Sequence, residues 1–89
     1  MANHKSALKR ARQSKIRKVR NQAYKTKAKK AVKAVRAAVA DNAEEQAQQR
    51  LREAVASLQR TVSKGVIHRN AAARRISRLT RLVNQLPSA

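Results

Sequence analysis

The sequence predicts an all-α protein, a three-helix bundle with a long basic N-terminal helix overhanging the bundle. Three observations predict it. Only one Gly and one Pro occur in 89 residues, so there is little material for turns. Ala, Lys, Arg, Gln and Leu fill long windows with no Gly or Pro before Gly65. Apolar residues then recur at helical spacing along each segment. The chain reads as a single domain, 1–89, divided into a basic arm of helix one over 1–24 and a helical bundle over 25–89.

The first helix is expected from about Ser6 to Ala40, where Asp41 and Asn42 break it. Its apolar residues fall on two unlike faces. Ala28, Ala31, Val32, Val35, Ala38 and Val39 share one, whereas Leu8, Ile16, Val19 and Ala23 lie on another rotated by roughly 150° at 100° per residue. One straight seam cannot use both faces, so the first half is expected to project beyond the core. Length agrees: about 35 residues span roughly 50 Å, against about 30 and 25 Å for the other helices.

Asn42 is expected to cap the second helix, with Glu45 three residues later completing a capping box. Glu44 and Glu45 in its first turn suit the positive end of the helix dipole. Ala47, Leu51, Ala54, Val55, Leu58 and Val62 form its apolar face, and Gly65 its C-terminal cap. Lys64 to Arg69 reads as the one real loop. Asn70 is expected to cap the third helix, Ala73, Ile76, Leu79, Val83 and Leu86 to form its buried face, and Pro87 to stop it. The 14 large aliphatics from Val32 onward make a small core, which predicts marginal stability for the isolated chain.

The net charge of +19 arises from 23 Lys and Arg against 4 acids, an excess that a compact chain tolerates best beside a polyanion. It is unevenly placed. Residues 1–36 carry 14 bases and no acid, residues 37–63 carry 3 bases and all 4 acids, and residues 64–89 carry 6 bases and no acid. A surface designed only for solubility mixes signs, so the basic ends point to polyanion binding. In the arm, Lys5, Lys9, Arg10, Arg12, Lys15, Arg17, Lys18 and Arg20 point to nearly every side of the helix, as suits a rod surrounded by phosphate. Like-charge neighbours such as Lys5 and Lys9 oppose helix formation by a few tenths of a kcal/mol per pair, so the arm is expected to be frayed when free and ordered on RNA.

The sole aromatic, Tyr24, cannot supply the stacking platforms of single-strand binders, which leaves shape and phosphates as the features read. Tyr24 is expected to cover helix one or to meet an RNA sugar edge. His4 and His68 lie at opposite ends, the acids cluster near helix two, and no metal-ligand or nucleophile spacing occurs, which argues against an enzyme, a cofactor, a metal or a small-molecule substrate. Without cysteine there are no disulfides, and no stretch approaches the roughly 20 apolar residues of a membrane span. The acid-free start imitates an organelle transit peptide, but it has no distinct cleavage region and runs straight into the helical pattern.

The run Lys64-Gly65-Val66-Ile67-His68-Arg69-Asn70-Ala71-Ala72-Ala73-Arg74-Arg75-Ile76-Ser77-Arg78-Leu79 resembles the loop and third helix of the bacterial small-subunit ribosomal protein twenty family. The opening Ala2-Asn3-His4-Lys5-Ser6-Ala7-Leu8-Lys9-Arg10-Ala11-Arg12 is similar to the start of that family, and Asp41 to Val62 matches in pattern rather than identity. The resemblance implies a cytoplasmic ribosomal protein without homo-oligomerisation. It would bind small-subunit (16S-type) ribosomal RNA directly, at the five-prime domain and the long penultimate stem, and scaffold its folding early in assembly. It further implies RNA-facing roles for Lys5, Lys9, Arg10 and Arg12 in the arm, and for Lys64, His68, Arg69, Asn70, Arg74, Ser77 and Arg78 beyond it. His4 and Pro87-Ser88-Ala89 fall outside the family pattern and receive no role. The alternative is a nucleoid or chromatin protein that coats DNA nonspecifically through the same charges. A membrane-surface peptide is the third class, disfavoured because the arm has no broad Leu- or Trp-rich face.

Overall fold

Helix formers without a breaker allow one long rod, and the computed structural model, which describes residues 3–86 and side chains from Lys5, contains it as α1, Asn3–Ala40. Helices α2, Glu44–Ser63, and α3, Arg69–Asn84, complete the described fold, which has no strand. α1 ends through backbone geometry. Asn42 takes a left-handed φ of 54°, its N–H donates to the Val39 carbonyl at 3.0 Å, and the next N–H, of Ala43, donates to the Ala38 carbonyl at 3.0 Å. These are the paired bonds of a Schellman stop, with asparagine in the seat usually held by glycine.

That arrangement corrects the expected capping box. The N-cap of α2 is Ala43, without a side-chain cap hydrogen bond, because Asn42 is committed to the left-handed turn that closes α1. An N-cap residue needs extended backbone, and a three-residue connection leaves no second asparagine to provide it. Glu44 and Glu45 do occupy the first turn of α2, where they favour the positive helix end.

α2 ends as expected at Gly65, whose φ of +73° supports the same double bond: Gly65 N–H to the Val62 carbonyl at 2.9 Å, and Val66 N–H to the Thr61 carbonyl at 3.1 Å. Nothing lies within 4 Å of the place a Cβ would take, so backbone conformation alone accounts for the glycine. The start of α3 is a second correction. His68, with extended backbone, is the N-cap, and its Nδ1 accepts from the Asn70 N–H at 3.1 Å. Asn70 therefore lies inside the first turn, and Arg69, expected in the loop, is the first helical residue. Pro87, expected to stop the helix, lies outside the described residues; α3 ends at Asn84, with Gln85 as C-cap.

The core sits where the three helices meet. Its buried apolar residues are Ala28, Val35 and Ala38 of α1, Ala47, Ala54 and Leu58 of α2, and Ala72, Leu79 and Val83 of α3. Because most of these are alanines, the helix backbones approach closely and Leu58 becomes the largest fully buried side chain. Leu51, Val62, Ile67, Ile76 and Leu86, partly buried, pack against this core. On α3 the small buried residue is Ala72, whereas Ala73, assigned inward from its spacing, is exposed. Thr61 was not expected inside, yet it is 1% exposed. Its hydroxyl donates to the Ser57 carbonyl at 2.7 Å, one turn back, which satisfies the polar atom locally.

α1 packs chiefly along α2, α2 along α3, and α1 meets α3 least. The molecule measures 70 × 21 × 14 Å, and every side chain from 5 to 20 is exposed. Leu8, Ile16 and Val19 are 65%, 62% and 62% exposed, in keeping with a face that the bundle does not use.

Candidate nucleic-acid interface

α1 carries the longest array of candidate ligand groups. Lys5, Lys9, Arg10, Arg12, Lys15, Arg17, Lys18 and Arg20 are all exposed on a single helical rod. At 100° per residue they surround the axis, and the α1 sequence contains no acid up to Ala40 that would neutralise them. A rod of this kind can meet phosphates on several sides at once: Arg through its planar fork, Lys as a mobile point charge.

The second array lies at the opposite end of the sequence. Lys64, His68, Arg69, Asn70, Arg74, Ser77 and Arg78 are each exposed on the loop or on α3. Nδ1 of His68 accepts the cap bond from the Asn70 N–H, and Nε2 is the nitrogen of this exposed residue not used in that bond. The Asn70 side chain, relieved of capping, is exposed on the first turn of α3.

Tertiary structure connects these arrays only in part. The loop lies beside the middle of α1, where Gln22, Lys25, Thr26 and Lys29 face Val66, Ile67 and Arg75 across a groove of about 580 Å³. A second groove of about 510 Å³ follows, between Val32 and Arg36 of α1 and Arg75, Arg78, Leu79 and Leu82 of α3. Neither groove includes Lys5, Lys9, Arg10 or Arg12, so the tip of the arm and the loop are separate surfaces. Lys25, Lys29, Arg36 and Arg75 lie outside the sequence-derived set. The spacing of the first three on one helical face was legible, but their pairing with Arg75 depends on how α3 crosses α1.

The acids stand elsewhere. Asp41 is in the α1–α2 turn, Glu44 and Glu45 begin α2, and Glu53 pairs with Arg50 at 3.1 Å. That exposed pair contributes at most about 1 kcal/mol. None of the residues lining the two grooves is acidic, so their positive potential is uncompensated. Tyr24 is half-buried. No helix among the described residues is long and apolar enough to cross a membrane.

The family model described as ribosomal protein S20 matches residues 2–84. A protein of Syntrophobacter fumaroxidans named small ribosomal subunit protein bS20 is 50% identical over 86 residues, covering 97% of this chain and 100% of its own length. One of the same name from Oleidesulfovibrio alaskensis is 55% identical over 84 residues, 94% of this chain and 97% of the relative. Another, from Helicobacter acinonychis, is 52% identical over 89 residues and covers both chains completely.

Proposed function

Since the chain belongs to the ribosomal protein S20 family, we propose that it is a structural constituent of the small ribosomal subunit in the cytoplasm that binds small-subunit ribosomal RNA directly and scaffolds its folding during assembly. The observation that carries the reading is the exposed rod of residues 5–20, with eight cations and no acid, held out from a compact bundle. Such a rod inserts between RNA helices and lowers the repulsion among their phosphates; the bundle, held to the same RNA through Lys64, His68, Arg69, Asn70, Arg74, Ser77 and Arg78, sets their relative orientation. The five-prime domain and the long penultimate stem are the RNA elements expected on either side. The role consists of binding and positioning, with no covalent step.

A salt series tests it directly. Affinity is measured for full-length small-subunit ribosomal RNA, its isolated five-prime domain, an unrelated structured RNA and duplex DNA. Preference for the first two that persists at physiological salt supports the reading. Equal binding that collapses together as salt rises replaces it with nonspecific coating of nucleic acid.

A further inference from the structure

Lys18, Lys25, Lys29 and Arg36 repeat along α1 at offsets of 7, 11 and 18 residues. At 100° per residue they fall within an arc of about 40° and extend over about 27 Å of helix. The line begins on the overhanging arm, in a shallow depression that contains Lys18, Gln22 and Lys25, and it runs into the bundle. There Arg75 and then Arg78 of α3 face it across the two grooves, and Arg75 borders both. All six cations are exposed, and no acid lines the depression or the grooves.

We infer that these six residues form one continuous cationic track, crossing from arm to bundle, that holds a single backbone strand of folded ribosomal RNA. The inference rests on the RNA-binding reading and adds the surface that performs it within the bundle. Three features select this occupant. Lys25 and Lys29 are about 6 Å apart along the helix, near the separation of successive phosphates on one strand. The groove lining includes apolar Val32, Leu79 and Leu82, which suit the C–H faces of ribose. No lining residue is aromatic, so unstacked bases find no platform and the backbone is what the groove can grip.

The test compares full-length variants that differ by the same charge. Lys29→Glu with Arg75→Glu alters the track, and Arg50→Glu with Arg52→Glu alters exposed cations of α2. Lys29→Gln with Arg75→Gln provides a milder pair, and circular dichroism verifies that each variant is folded. The track variants are expected to bind small-subunit ribosomal RNA more weakly by about a hundredfold for Glu and about tenfold for Gln, with a log–log salt slope shallower by about 2, whereas the α2 pair stays near wild type. Wild-type affinity in folded track variants, together with wild-type preference for ribosomal RNA, overturns the track and leaves the proposed function standing. Equal weakening by the α2 pair overturns it as well, because the effect is then net charge alone. If the wild-type chain itself lacks preference for ribosomal RNA, the proposed function falls and takes the track with it.

Discussion

The ring of His68 accepts a hydrogen bond from the backbone N–H of Asn70 at 3.1 Å, so the loop histidine starts α3. The bond satisfies one of the donors that the first turn of a helix leaves open.

Removing the cap is expected to show as lost stability. His68→Ala should cost about 1 kcal/mol in urea unfolding, and His68→Asn, which restores a short acceptor, should recover most of it. Asn70→Ala should be neutral, since its side chain does not cap. A larger loss for Asn70→Ala than for His68→Ala would contradict the assignment.

At the other helix junction, Asn42 holds φ at 54° and ends α1. Asn42→Val forces a branched side chain into the left-handed region and should cost about 1–2 kcal/mol, whereas Asn42→Gly should be neutral or stabilising. Thermal melting of the two variants checks the order, and a Val variant as stable as the Gly variant would exclude the left-handed turn.

Leu58 and Ile16 are both large aliphatics on helices, but Leu58 is 0% exposed and Ile16 is 62% exposed. Leu58→Asp places an unpaired charge among core residues and should abolish the cooperative unfolding transition, and Leu58→Ala should cost about 2–5 kcal/mol. Ile16→Asp should leave the transition within about 0.5 kcal/mol. Far-ultraviolet circular dichroism during melting discriminates them; a cooperative, folded Leu58→Asp protein would disprove the core position.

Deleting residues 1–20 removes only exposed side chains among those described, since the first buried residue is Ala28. The thermal transition should survive nearly unchanged while affinity for small-subunit ribosomal RNA falls by at least about a hundredfold, because eight cations leave together. Loss of the transition would mean that the arm supports the bundle; unchanged affinity would mean that it does not bind.

Much of this organisation was legible in the chain. Scarce breakers and the change of apolar phase along α1 foretold three helices and an overhang, since both follow from residue spacing on a cylinder. The left-handed glycine at Gly65 was equally readable, because few other residues tolerate that backbone. The other junctions were not. Asn42 and Asn70 both favour caps by type, but which residue caps depends on the last bond of the preceding helix and on where the chain turns, and those are settled by packing within one or two residues. Ala72 replaced Ala73 on the buried face for the same reason: their directions differ by about 100°, and the crossing of α3 over its neighbours chooses between them.

The sequence by itself determined the helical class, the polarity of charge along the chain and the arm with no core face, because composition and periodicity act locally and do not depend on what lies opposite. Only the tertiary structure decided that Arg75 stands across from Lys29 and Arg36, and that a threonine lies buried beside Leu58. The first relation joins residues far apart in the chain, and both depend on the angle and closeness of helix packing, set by small alanines at the contacts.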